Sequence, residues 1–176
     1  MKFRNNASKS KSVKKDILNY VKKCWKGSEK NILDEINNLT GMYLDTKHIT
    51  CYLDSSTSHS FYGYRIIILG AKGGLTKDDI LMVISHELFH IYYWRKIKKD
   101  RLTKSSMGKE KKEEWNLSEV TVSLITDEPS LKKFWPTSKV YIYPEVKHVY
   151  KKVKKFWKKG NFDFFLKNAY IKINKK

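Results

Sequence analysis

The sequence predicts an α+β fold: a small mixed sheet packed on one central helix, followed by a mostly helical C-terminal part. Three observations carry that prediction. Short β-rich segments, 48–54 and 61–70, fall in the first half of the chain. A strongly apolar run, "ILMVISHELFHIYYW", follows them. Beyond it, apolar residues recur mostly at helical spacing, in 113–126, 144–157 and 162–170.

The elements follow in order. Residues 1–12 are polar, basic and without period, and are expected to form a disordered tail. Residues 13–176 are expected to form a single domain. Val13, Ile17, Leu18, Val21 and Trp25 mark a first helix that Gly27 ends; Ser28 then caps a second, with Ile32, Leu33, Ile36 and Leu39, closed by Gly41. "HITCYLD" and "FYGYRIIILG" read as strands, with Gly63 marking a bulge or a close backbone approach. Thr76 caps a long helix from about Lys77 to Lys98, with Asp78 and Asp79 favourable in its first turn. A polar loop, 99–112, leads to a helix over Glu113–Thr126, ended ahead of Pro129. "SLKKFW" is a short helix, and "KVYIY" a strand or an extended segment. Pro144–Trp157 is a basic amphipathic helix whose apolar stripe is expected to dock on the domain, and a last helix covers about Phe162–Tyr170.

Composition narrows the class. With 40% hydrophobic and 14% aromatic residues in 176, the chain can bury a sizeable core. No apolar run reaches the ~20 residues that cross a bilayer. The N-terminus has no apolar signal region. The expectation is a cytoplasmic protein with no transmembrane segment, whose Cys24 and Cys51 are ordinary thiols. The net charge of +19 has two readings. One is attraction to an anionic partner: nucleic acid, an acidic protein or a membrane surface. The other is a compositional excess of Lys. Arg, which phosphate and base recognition favour, occurs only at 4, 65, 95 and 101.

Within the apolar run, His86, Glu87 and His90 spell H-E-x-x-H. On a helix the two imidazoles project from one face, one turn apart, and can share one Zn²⁺. Glu87 lies about 100° around the helix, beside the metal but not on it, where a carboxylate can act as general base. From Ile80 to Trp94, Glu87 is the only formally charged residue. Burying it is costly unless a cation compensates. The alternative is a chance match in a core helix whose histidines are satisfied by hydrogen bonds.

Catalytic zinc sites usually have three protein ligands. A metzincin-type continuation would need Gly at 93 and His at 96, where the chain has Tyr93 and Lys96. The other common source is a Glu on a later helix. "WNLSEVTVSLITDEP" supplies Glu119, the only charged residue from Asn116 to Thr126. Its other reading is a solvated face. Glu113 and Glu114 are rivals, expected at the surface beside a Lys run.

"HELFH" followed by Glu119 on a later helix resembles the gluzincins, zincin-like metallopeptidases with two His and one Glu as zinc ligands. The compact size is similar to the minimal members called minigluzincins. The resemblance covers roughly Cys51–Thr126. It implies a zinc metalloendopeptidase, a hydrolase with His86, His90 and Glu119 on the metal, Glu87 as general base and a protein or peptide as substrate. In many gluzincins the Glu helix continues E-x-x-x-D, and the Asp orients a ligand histidine. Here that position is Ser123, a departure that weakens the expected support of the histidine. The resemblance also makes "FYGYRIIIL" the strand an extended substrate would pair with. It further implies an oxyanion donor from the C-terminal part, with Tyr141, Tyr143 and His148 as candidates. His148 ranks first, because His is scarce here and titrates near neutrality. His48 and His59 are expected to be surface or core residues. The alternative function is a non-catalytic zincin-like domain that binds nucleic acid or an acidic protein through its Lys-rich surface.

Overall fold

The computed structural model describes residues 1–5, 15–103, 111–158 and 161–174. The architecture is α+β, with a small mixed sheet and a largely helical remainder. Four strands, β1 (Lys2–Asn5), β2 (Thr50–Asp54), β3 (Phe61–Tyr62) and β4 (Ile66–Gly70), lie in the order β1-β2-β4-β3. β1, β2 and β4 run parallel, and β3 is antiparallel to β4 at one edge.

β1 corrects the sequence expectation. Lys2–Asn5 belongs not to a disordered tail but to the sheet, paired with Thr50–Leu53, with Phe3 in the core. A lone aromatic and a distant partner strand leave no local period to read. Residues 6–12 of the expected tail lie outside the described residues.

α1 (Lys15–Thr40) is a second correction, because one helix replaces the expected two. Its buried face, Val21, Trp25, Ile32, Ile36 and Leu39, continues across Gly27. Gly27 is exposed with nothing near it. Its helix penalty of about 1 kcal/mol is outweighed by the apolar burial on either side. Gly41, at φ +67°, ends the helix as expected.

The segment expected as one strand over 61–70 folds back on itself. Gly63 N–H donates to Ile66 O at 2.7 Å, and residues 63–65 form the turn between β3 and β4. The close approach expected at Gly63 is found at Gly70 instead. A Cβ there would sit 2.5 Å from His59 O.

α2 (Lys77–Lys99) starts where expected. Thr76 Oγ1 accepts from Asp79 N–H at 3.1 Å, and the Asp79 carboxylate accepts from Thr76 N–H at 3.2 Å. The helix packs against β3, β4, α1 and α3 (Lys112–Thr126), so its apolar surface is covered on several sides.

The C-terminal part wraps α3. α4 (Pro129–Lys132) starts on proline. Residues 139–143 form neither helix nor strand. They are tied instead to the start of α2: Thr137 donates N–H and O–H to Asp78 at 2.9 and 2.6 Å, and Ser138 donates O–H to Asp79 at 3.0 Å. The expected helix over 144–157 is a 3-10 turn, then α5 (Lys147–Val153), then a second 3-10 turn. Val146, Val149 and Val153 are buried and most of the lysines face solvent, as the docking expectation has it. α6 (Phe162–Asn174) closes the described chain. Among the described residues no helix is long and apolar enough to cross a membrane.

Candidate metal centre

α2 and α3 bring His86, His90 and Glu119 together. His86 and His90 are one turn apart on α2, and their Nε2 atoms lie 3.1 Å from each other. Glu119 reaches them from α3, with Oε1 3.3 Å from His90 Nε2 and Oε2 3.7 Å from His86 Nε2. Zinc bonds of about 2.0–2.2 Å at the tetrahedral angle set ligand atoms roughly 3.3–3.6 Å apart. The three separations bracket that edge, so the donor set fits a small divalent cation. The cluster could hold a metal ion.

The burial argument for the two helices holds. Every residue of α3 from Asn116 to Thr126 is buried, so Glu119 has no solvated face to occupy. Burial opposes its charge, but hydrogen bonds from His86 and His90 dominate and hold the carboxyl down at about 2. Burial also pulls His90 down to about 4, whereas at His86 burial is outweighed by Glu119 and Glu87, which raise it. Glu87, also buried, lies beside His86 on the cleft wall. Burial pushes its carboxyl up to about 7, with the charge of Glu119 adding to the rise and His86 opposing it. Such a group can both take and release a proton near neutrality.

Two supports of His90 were not legible in the sequence. Ser118, next to Glu119, places Oγ 2.7 Å from His90 Nδ1. That contact fixes the ring and would leave Nε2 to a metal ion. It fills the role expected of an Asp at position 123, from the opposite side of Glu119. A serine directly beside the carboxylate on a buried helix is the signal that could have found it. Tyr62 of β3 stacks on the same ring, with centroids 4.5 Å apart and planes 12° apart. Its hydroxyl accepts from Trp94 Nε1 at 3.1 Å.

A cleft of about 200 Å³ opens onto His86 and Glu87. One wall is the 58–60 segment, and another is formed by Lys139, Val140, Tyr141 and Tyr143. Tyr141 and Tyr143 line it; His148, ranked first as oxyanion donor, does not. The register of α5 is the reason. Val146, Val149 and Val153 take the inner face and turn His148 outward, where it contacts Glu145 O at 2.8 Å and Glu113 at 3.5 Å. Burial, then the charges of Glu119 and Glu87, raise the pKa of Tyr143. His59, expected to be an ordinary residue, is exposed on the cleft wall. Of the rival carboxylates, Glu113 is exposed as expected, but Glu114 is buried.

No protein-family model matches the chain, and no curated protein or solved structure is significantly similar to it.

Proposed function

We propose that the chain is a small cytoplasmic zinc metallopeptidase, zincin-like in fold and gluzincin-like in its ligands, which hydrolyses peptide bonds in protein or peptide substrates. The observation that supports it most is the spacing of the His86, His90 and Glu119 donor atoms, with Glu87 beside them at the cleft. Two free, buried cysteines suit a reducing compartment.

A bound Zn²⁺ would polarise the scissile carbonyl and make an attacking water more acidic. Glu87 takes the proton from that water and passes it to the leaving amine. Tyr143 donates its hydroxyl to the developing oxyanion, in place of His148. Ser118 and Tyr62 hold the His90 ring in the plane its Nε2 needs. Phe61–Tyr62, the edge strand next to His90, is where an extended substrate would lie along the sheet.

The test pairs two measurements on protein purified without added metal. Elemental analysis should find close to one zinc per chain. The zinc-loaded protein should cut a disordered polypeptide such as casein, and Glu87→Gln should keep the zinc while losing the cutting. A zinc-loaded wild type that leaves casein intact, or a Glu87→Gln variant that cuts equally fast, would sink the proposal.

A further inference from the structure

The cleft walls carry a charge that the peptidase chemistry does not use. We infer that the cleft selects peptides with an acidic side chain beside the scissile bond, and that Lys139 reads it. This rests on the peptidase reading and names its substrate class.

Both walls are anchored at their roots. Lys139 follows directly on Ser138, which bonds Asp79 at the start of α2 (3.0 Å). Its backbone is therefore held while its side chain is exposed at the cleft. Opposite, Ser60 Oγ accepts from Gly70 N–H at 3.1 Å, and Lys72 N–H donates to Thr57 O at 3.0 Å. The absence of a side chain at Gly70 lets the His59 carbonyl approach β4. That wall presents Ser58, His59 and Ser60 to the same space.

Charge then decides what fits. Among the described residues the walls contribute no carboxylate, and Glu87 is the one acidic residue lining the cleft. A divalent cation held by the centre balances Glu87 and Glu119 together. Lys139, which makes no ion pair among the described residues, is then the uncompensated charge. A carboxylate side chain is the complement, with His59 and the serines able to donate to it. The net charge of +19 acts in the same direction at long range, concentrating acidic chains near the surface.

The test uses otherwise identical octapeptides carrying two Glu, two Ala or two Lys residues beside the central bond. Binding is read by fluorescence anisotropy on zinc-loaded Glu87→Gln protein, and kcat/KM on zinc-loaded wild type. The Glu peptide should bind about tenfold or more tightly than the Lys peptide. Lys139→Glu should reverse that order, and Lys139→Met should flatten it. Equal binding of the Glu and Lys peptides, or a preference that survives in Lys139→Glu, overturns the inference. The two proposals fail separately. Hydrolysis by the wild type without acidic preference removes this inference alone. A Lys139-dependent preference in binding without any hydrolysis removes the peptidase reading and, with it, the scissile bond, keeping only the cleft's preference for acidic peptides.

Discussion

Glu114 and Glu119 lie on the same helix, 4% and 6% exposed, and their surroundings differ in kind. Glu114 faces donors that need nothing further. It accepts from Thr103 Oγ1 at 2.7 Å, from Lys111 N–H at 3.2 Å and from the Tyr170 hydroxyl. It closes the first turn of α3 and ties the loop before it to α6. Glu119 faces two imidazoles whose nitrogens also converge on each other. A buried carboxylate served by a backbone amide and hydroxyls is a structural fastener. One served by paired histidine nitrogens at ligand spacing has the geometry of a site. Burial alone does not separate the two; the identity of the donors does.

That contrast can be broken by experiment. The largest effect is expected from Glu119→Ala, which should weaken zinc binding by roughly a thousandfold, or about 4 kcal/mol. Zinc per chain should fall to a trace, and a chelator that lowers the melting temperature of the wild type should leave this variant unmoved. Next comes Glu114→Ala, which removes the acceptor that three donors share. It should cost on the order of 3 kcal/mol in denaturant unfolding while zinc per chain stays at the wild-type value. If Glu114→Ala lost zinc and Glu119→Ala lost only stability, the assignment of roles would be reversed. Ser118→Ala sharpens the picture. Removing the partner of His90 Nδ1 should raise the zinc Kd about tenfold in a competition titration, with little change in global stability. The smallest effect is expected from Tyr62→Leu, which removes the stacked ring but keeps an apolar side chain. A zinc Kd raised by roughly threefold fits that role; no change would leave Tyr62 a packing residue only.

Much of the candidate cluster was legible because it is written in local spacing. His86 and His90 sit four apart on a helix whose start, Thr76, is also local. Glu119 stood out as the one charge in a buried run. What escaped the sequence depends on contacts between distant segments. Ser118 matters only because α3 lies against α2 at that register, and Tyr62 only because the chain turns at residues 63–65 to bring β3 beside His90. The misplacement of His148 has the same origin. Helical spacing identified the valines of α5, but not that they would claim the inner face and send the histidine outward. β1 and Gly27 show the converse, where tertiary pairing and continuous burial override a weak local signal.

The anchoring of the cleft walls bears on how such a molecule changes over generations. Each wall is rooted by groups other than the outermost side chains it displays: Thr137 and Ser138 on the acidic start of α2, and Ser60 with the His59 carbonyl on Gly70. Lys139, Tyr141 and Ser58 are therefore exchangeable fingers on a fixed palm. Drift or selection can rewrite what the cleft grips, one codon at a time, while the centre beneath keeps its shape.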